Sequence, residues 1–293
     1  MSRNAAKKAE GDALMKKGKK AITTSMFRWN PDHLSAVGWF EEAIKAYRIA
    51  AAKDEMIEAL EAAAASQIVL GSLVTAAGHY EQAAREVLTL RADDSNARAA
   101  HYYKLAGDLN HEAGEVMTGA QHYMKGAELL EKMGNADAAR EQVMLACAIF
   151  EDADKEYAGM DTMRKALNYL IKNRNYTESL EVLRRMERVG GKDGLNQPNI
   201  LHKAAVARIL VNLALGDPVA ADRALMDGLR IDGFAKTPMC AAGEDLLIAF
   251  KNRDEEAFAE VQARTSWNHL DSSMGRLARL LTVNGDPGAH RGG

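Results

Sequence analysis

The sequence predicts an all-α fold: a tetratricopeptide-repeat-like (TPR-like), right-handed superhelical array of antiparallel helix pairs that ends in a C-terminal helical bundle. Apolar residues recur at helical spacing along the chain, and the alternation typical of strands is nearly absent. Only 5 prolines interrupt the 293 residues. Alanine is abundant and aromatic residues make up 6% of the chain, which favours helices whose backbones pack closely.

Apolar faces locate the individual helices. Trp39, Phe40, Ala43, Ile44 and Tyr47 follow the i, i+3, i+4, i+7 spacing of one helix face. The same spacing recurs later, at Ile57, Leu60, Ala64 and Ile68, then at Tyr123, Ala127 and Leu130, then at Val143, Ala146, Cys147 and Phe150. These faces predict helices of about 15–20 residues joined by short turns, and short turns make neighbouring helices antiparallel.

Capping residues and glycines mark where helices begin and end. Asp217–Pro218 and Thr237–Pro238 each combine a capping side chain with proline at the first helical position, so both predict helix starts. Asp54 and Asp254 are predicted caps of the same kind. Gly134 suits a helix end, because glycine adopts the left-handed conformation without strain.

Five consecutive segments repeat one pattern over about 20 residues each. Each has a small residue near its start, then a cluster of large apolar residues, then a polar or glycine break. The segments are 72–91, 94–114, 115–134, 135–154 and 155–174. Two such helices approximate the repeat of about 34 to 40 residues found in helical-pair solenoids. The match to a strict tetratricopeptide consensus is poor, so the array is predicted to be TPR-like.

Three regions are predicted along the chain. Residues 1–190 form the twisted array, residues 195–283 form the C-terminal bundle, and residues 284–293 form a disordered tail. The predicted break is the glycine-rich loop from Gly190 to Gly194. The tail is rich in glycine and polar, as unanchored termini commonly are.

Composition narrows the class of protein. The net charge of −3 and the pI of about 6.3 argue against a dedicated nucleic-acid binder. The two cysteines, Cys147 and Cys240, are too few for a disulfide scaffold and are predicted to be buried in a protein of a reducing compartment. With neither a signal-peptide pattern nor an apolar run of about 20 residues, the predicted localisation is cytoplasmic.

Motifs for catalysis or for metal and cofactor binding are missing from the sequence. It contains no Walker loop, GxSxG, HExxH or CxxC, so neither an enzyme nor a metal or cofactor site is predicted. His101, His111 and His122 are spaced by ten and eleven residues, which we interpret as polar positions on successive stacked helices.

A hydrophobic segment, Met26 to Pro31, separates the first two predicted helices. Proline should hold its three bulky apolar side chains outside a helix. Such residues either pack a loop against neighbouring helices or form an exposed apolar segment that inserts into a membrane surface. Lysines just before the segment would favour anionic headgroups.

Charged residues supply two further candidate surfaces. Basic side chains on the middle helices, at Lys104, Lys125, Arg164 and Lys165, form either a solvated face or a binding surface for an elongated acidic partner. The run Asp254-Glu255-Glu256 opens a helix, where it complements the helix dipole, and it is equally able to dock a basic surface.

The chain resembles a known family, the soluble NSF attachment proteins (SNAPs), and most closely their gamma type, over nearly all of residues 1–283. Phe27–Asp32 resembles the signature of the first loop in the gamma form. Ala76–Ala83 is similar to the family's fourth helix, and Asp217–Arg223 and Ile231–Phe234 resemble a late helix pair and the loop that follows it.

This resemblance implies an adaptor for vesicle fusion and intracellular membrane trafficking. Such adaptors are monomers when free, and several copies lie along an assembled SNARE four-helix bundle that is acidic outside. Their C-terminal ends recruit and stimulate the hexameric AAA+ ATPase NSF, which separates the SNAREs. They attach peripherally to membranes and bind no nucleic acid.

The resemblance also assigns residues to three contacts. The membrane-contact loop comprises Met26, Phe27 and Trp29, and the SNARE-binding residues are Lys125, Arg164 and Lys165. For NSF, Leu280 and Leu281 match the apolar end of the last helix. The alpha form's acidic tail is absent, which leaves Asp254, Glu255 and Glu256 as acidic candidates. Gln121 and Asp161 stand where the alpha form has lysines, so the SNARE set recognised is expected to differ.

Two other functions remain compatible with the residues alone. The first is a generic TPR-like scaffold that captures extended peptides without an ATPase partner. The second is a hydrolase without a recognisable motif, which would reveal itself through stoichiometric binding of a metal or nucleotide.

Overall fold

The computed structural model describes residues 3–24, 29–152, 155, 157–191 and 198–286. The described residues form fourteen α-helices and two short 3-10 helices, Phe234–Lys236 and Thr265–His269. The α-helices are α1 Arg3–Ile22, α2 His33–Ala50, α3 Lys53–Val69, α4 Leu73–Leu90, α5 Ser95–Glu112, α6 Val116–Lys132, α7 Ala136–Asp152, α8 Met160–Lys172, α9 Tyr176–Gly190, α10 Pro198–Ala214, α11 Pro218–Gly228, α12 Pro238–Asn252, α13 Glu255–Gln262 and α14 Ser272–Leu280. Helices α1 to α7 pack in sequence, as do α8 to α13, so the predicted all-α, TPR-like class is confirmed.

The chain divides into two compact units, Met1–Asp154 and Lys155–Gly293. The sequence placed the division later, between 190 and 195. Helices α9 and α10 pack against each other, so the helices on both sides of that segment belong to the second unit. Residues 192–197, which include most of the glycine-rich loop, lie outside the described residues.

The first unit is a row of seven helices, α1 to α7, in which each helix contacts the next. Turns of two or three residues, such as Ala51–Ala52 and 70–72, force neighbouring helices to be antiparallel. Glycines permit the closest approaches. A Cβ atom on Gly11 would lie 2.6 Å from the Tyr47 ring, and one on Gly18 would lie 2.4 Å from the Phe40 ring.

Most predicted helix positions are confirmed. The five repeated segments correspond in order to α4, α5, α6, α7 and α8. Asp217, Thr237 and Asp254 cap their helices by accepting backbone N–H groups, as predicted. The prediction of Asp54 as a cap was wrong, because α3 begins at Lys53, two residues earlier than a cap at Asp54 requires, and the carboxylate lies within the first turn.

Two residues of the predicted apolar faces are partly exposed. Trp39 keeps about a third of its surface in water, and the Lys17 ammonium lies 4.8 Å from its ring centroid. Ile68 is also exposed, because it lies in the last turn of α3, next to the turn into α4. Cys147 and Cys240 are buried and free, as predicted.

The second unit is organised around α10, which packs against α9, α11, α12 and α14. The rings of Phe234 and Trp267, one from each 3-10 helix, are fully buried. Among the helices of the described residues, none combines the length and the hydropathy that a membrane span requires.

The first residues of the predicted tail are ordered rather than free. Thr282 and Gly285 exchange backbone hydrogen bonds of 2.9 and 3.0 Å. Gly285 has φ +99° and passes close to the carbonyl of Ala214, a path that favours glycine. Asp286 is buried and accepts a hydrogen bond from Tyr176. Residues 287–293 of the predicted tail lie outside the described residues.

Candidate functional site

The predicted membrane-contact loop is anchored at its base and exposed at Trp29. Met26 and Phe27 lie outside the described residues. The Trp29 side chain is 86% exposed, so it does not staple the loop onto a helix. Asp32 closes the loop, because its backbone N–H donates to the Ala21 carbonyl at 3.0 Å and its carboxylate caps α2. Leu34, in the first turn of α2, is also exposed.

Lysines of α1 flank this loop. Lys16, Lys17, Lys19 and Lys20 occupy the last two turns of the helix, and all four are exposed. Lys19 forms an ion pair with Glu58 of α3. The base of the loop therefore carries a cluster of positive charge next to exposed apolar side chains.

Lys125, the first predicted SNARE-binding residue, is engaged by a carboxylate of its own unit. Its ammonium donates to the Glu81 Oε1 atom at 2.9 Å and lies 5.4 Å from the Tyr103 ring centroid. The Arg85 guanidinium reaches the same oxygen at 2.6 Å, and His122 Nε2 lies 3.4 Å away. Lys125 keeps close to half of its side chain exposed, so a partner can still reach it.

Glu81 is the centre of this cluster, which joins α4 to α6. Burial raises the pKa of Glu81, but the hydrogen bonds from Lys125 and Arg85 outweigh that effect and bring the pKa to about 2. Burial also lowers the pKa of His122, although Glu81 opposes the change. No sequence pattern predicted a role for Glu81. Its only local signal is the i, i+4 spacing to Arg85.

A Glu81→Gln substitution is expected to lower the free energy of unfolding by about 1 to 3 kcal/mol at neutral pH. The folded-state pKa is depressed, so the carboxylate stabilises the fold above its ordinary pKa of 4.5, and this contribution disappears as the pH falls towards about 2. Urea denaturation from pH 7 to pH 2 measures the difference between the two proteins.

The matched control is Glu128→Gln, which removes an exposed carboxylate from α6. We expect its unfolding free energy to stay within about 0.5 kcal/mol of the parent. A Glu81→Gln difference that is independent of pH would contradict the charge-based role.

The prediction that His101, His111 and His122 lie on successive helices was wrong. His101 and His111 both lie on α5, and only His122 lies on the next helix, α6. The helices are long enough to hold two residues ten positions apart. His122 is buried, with Nδ1 3.1 Å from the Asn110 amide nitrogen. Within the described part of the chain, no group of three or more His, Cys, Asp or Glu side chains is arranged to hold a metal ion.

Arg164 and Lys165 lie together on α8 and share one carboxylate. Asp161 accepts from Arg164 at 2.6 Å and from Lys165 at 2.8 Å, and both hydrogen bonds hold the pKa of Asp161 below its ordinary value. All three side chains are more than half exposed. The group therefore presents a net positive charge to solvent.

A groove of about 330 Å³ begins beside this group, within the second unit. Arg164 and Lys203 stand on its wall, and Asp161 and Asp271 bring negative charge to it. Its apolar lining includes Leu167, Leu183, Met186 and Met274. Lys125, in contrast, belongs to the first unit.

The predicted NSF-binding residues differ in what their side chains already do. Asp254 caps α13 by accepting the Ala257 N–H at 3.0 Å, whereas Glu255 and Glu256 are exposed in the first turn. Leu280 is 55% exposed, but Leu281 is buried, and its carbonyl accepts from Gln262 at 2.9 Å. Leu280 and the two glutamates are therefore the side chains available to a partner.

Comparisons with known proteins identify the family of this chain. Residues 9–271 match a family model described as "Soluble NSF attachment protein, SNAP". The gamma-soluble NSF attachment protein of Dictyostelium discoideum is 28% identical over 284 residues, which cover 96% of this chain and 85% of that protein. The gamma-soluble NSF attachment protein of Arabidopsis thaliana is 26% identical over 273 residues, covering 93% and 92%. Because the family model spans most of an all-helical chain of the predicted architecture, this chain belongs to the soluble NSF attachment protein family.

Proposed function

We propose that this protein is a non-catalytic adaptor that binds assembled SNARE bundles and recruits and stimulates the ATPase NSF for their disassembly. The family match over residues 9–271 is the observation that carries the proposal. ATP hydrolysis would belong to NSF. The adaptor would supply shape, charge and avidity, since several copies on one bundle raise the effective concentration of binding sites.

SNARE recognition would be electrostatic. Arg164 and Lys165 expose their charged groups beside an apolar groove, and Lys125 exposes part of its side chain above the Tyr103 ring. An acidic helical bundle complements such charges, which mainly speed its association and select its orientation. The intramolecular carboxylates at Asp161 and Glu81 hold the three basic side chains in place and also reduce the net charge they present.

NSF recognition would use the end of the second unit. Glu255 and Glu256 offer negative charge at the start of α13, and Leu280 offers an exposed apolar side chain at the end of α14. Gln262, at the end of α13, donates to the carbonyls of Ala278 and Leu281 and so ties the two helices together. The glutamates and Leu280 would therefore lie on two helices that these hydrogen bonds connect.

The decisive experiment is ATP-dependent disassembly of a preformed SNARE bundle by NSF, with and without this protein. We expect disassembly to require the protein and to stop when ATP is replaced by a non-hydrolysable analogue. If NSF neither binds nor responds across several SNARE bundles, the adaptor proposal fails. The generic peptide-binding scaffold would then be the working hypothesis.

The membrane-contact loop makes a separate prediction. Phe27→Ser with Trp29→Ser should lower disassembly of SNARE bundles held in liposomes by about fivefold or more, because two apolar side chains no longer anchor the adaptor. Disassembly of the same bundles in detergent should not change. Rates on the two substrates, measured side by side, check this expectation.

The control is Val219→Ser with Leu229→Ser, which removes two exposed apolar side chains from the α11 region. It should leave both rates unchanged. Equal rates of disassembly on liposomes before and after the loop substitution would contradict the proposed membrane role of the loop.

A further inference from the structure

The tip of the α3–α4 hairpin carries an exposed apolar cluster. Ile68, Val69, Leu70 and Val74 are all exposed, with Val69 at 64%. The surrounding sequence, residues 62–78, contains no charged residue. Scattered exposed apolar residues are normal on protein surfaces, but four within seven residues of an uncharged hairpin tip are a local concentration of the kind found at contact sites.

This tip lies on the same edge of the first unit as the Trp29 loop. Helices α1 to α4 pack in order, and the turns at Ala51–Ala52 and 70–72 reverse the chain direction. In such a row, the connections alternate between two edges. The first and third connections, which are the Trp29 loop and the α3–α4 tip, therefore share one edge.

The opposite edge has a different character. The turn between α2 and α3 leads directly into Lys53, Asp54 and Glu55. The connection between α4 and α5 holds Arg91, Asp93 and Asp94. Among the first four connections of the unit, only the α3–α4 turn has uncharged sequence on both sides, so the apolar tip is not a feature of helix ends in general.

Positive charge accompanies the apolar residues on this edge. The exposed lysines Lys16, Lys17, Lys19 and Lys20 occupy the C-terminal end of α1, which runs directly into the Trp29 loop. Lysines beside exposed apolar side chains complement the anionic headgroups and the acyl boundary of a lipid surface. A protein partner would usually form hydrogen bonds as well, but the side chains of residues 68–71 contain no donor or acceptor.

We propose that the α3–α4 tip is a second membrane-contact element, which meets an anionic lipid surface together with the Trp29 loop. The inference goes beyond the proposed adaptor function, in which only the loop touches the membrane. One contact point would leave the first unit free to rotate on the bilayer, whereas two contact points on one edge would restrict its orientation relative to the membrane. The lipid surface is the occupant that the charge and the apolar residues both fit.

The test is flotation with vesicles of phosphatidylcholine, with and without phosphatidylserine, in the absence of SNAREs and NSF. Val69→Ser with Leu70→Ser should weaken binding to the anionic vesicles by about fivefold or more, because two apolar side chains no longer enter the interface. The matched control is Ile49→Ser with Met133→Ser, which changes two exposed apolar residues at the opposite edge of the same unit and should leave binding unchanged. Circular dichroism melts verify that both variants fold.

A second readout reports contact directly. A Val69→Cys variant can be labelled with an environment-sensitive fluorophore, since both native cysteines are buried. We expect a blue shift when anionic vesicles are added, and no shift for a label at Ile49→Cys. A label at 69 that stays in water while the protein floats would overturn the proposal.

The remaining outcomes are equally decisive. If the Val69 and Leu70 substitutions leave flotation intact but slow SNARE disassembly in detergent, the tip contacts protein and the lipid proposal is wrong. Because flotation uses neither SNAREs nor NSF, a failure here is distinguishable from a failure of the adaptor proposal.

Discussion

Reversing the charges of Arg164 and Lys165, by Arg164→Glu with Lys165→Glu, is expected to slow NSF-dependent SNARE disassembly by about tenfold or more. The two side chains present positive charge beside the groove of the second unit, and their reversal would place negative charge against an acidic bundle. A loss of about 1.4 kcal/mol in binding is sufficient for a tenfold change, and repulsive charge pairs commonly exceed it. Both side chains are more than half exposed, so the melting temperature should hardly change.

Matched variants isolate the role of position from that of net charge. Arg223→Glu with Arg230→Glu makes the same change in net charge in the α11 region, at one residue of the helix and one residue just after it, and should leave the rate within about twofold, since both side chains are exposed. Asp161→Asn removes the carboxylate shared by Arg164 and Lys165, so it should strengthen bundle binding at low salt. Equal losses from the α8 and α11 pairs would show that overall charge is responsible and that α8 is not a SNARE contact.

Local patterns were sufficient to predict the helices. The five repeated segments coincide with α4 to α8, because each combines a helical apolar face with a break that ends it. The caps at Asp217, Thr237 and Asp254 were predictable for the same reason, since a cap bonds a backbone group three residues away. The cap predicted at Asp54 was wrong because the chain enters α3 from a two-residue turn, which places the helix start two residues earlier.

Contacts between distant residues were not predictable in this way. Glu81 and Lys125 are 44 residues apart, and no periodicity links them. The burial of Leu281 next to the exposed Leu280 depends on how α13 packs beside the end of α14. Composition alone indicated a free tail, because glycine and polar residues are common in tails, and it missed that Gly285 and Asp286 fit a site built by α9 and α10.

The second large effect is expected from Asp286→Ala, which should lower the free energy of unfolding of the second unit by about 2 to 3 kcal/mol. The Asp286 carboxylate is buried, accepts from the Tyr176 hydroxyl at 2.5 Å and pairs with Arg174 at 3.0 Å. Without it the Tyr176 hydroxyl, in a buried residue, loses its acceptor, whereas the half-exposed Arg174 remains solvated. The loss of stability therefore comes mainly from the Tyr176 hydroxyl, which has no acceptor, and from the weaker attachment of residues 281–286.

A background with Trp29→Phe and Trp39→Phe leaves Trp267, in the core of the second unit, as the fluorescent reporter for urea denaturation. Asp232→Ala, which removes an exposed carboxylate from the same unit, should cost less than about 0.5 kcal/mol. Tyr176→Phe completes a double-mutant cycle, and we expect a coupling of about 1 to 2 kcal/mol with Asp286→Ala. A coupling near zero would mean that the Asp286 carboxylate stabilises the unit through its ion pair with Arg174 and not through the tyrosine. A clear coupling would establish that the hydrogen bond from Tyr176 to Asp286 ties the end of the described chain to α9.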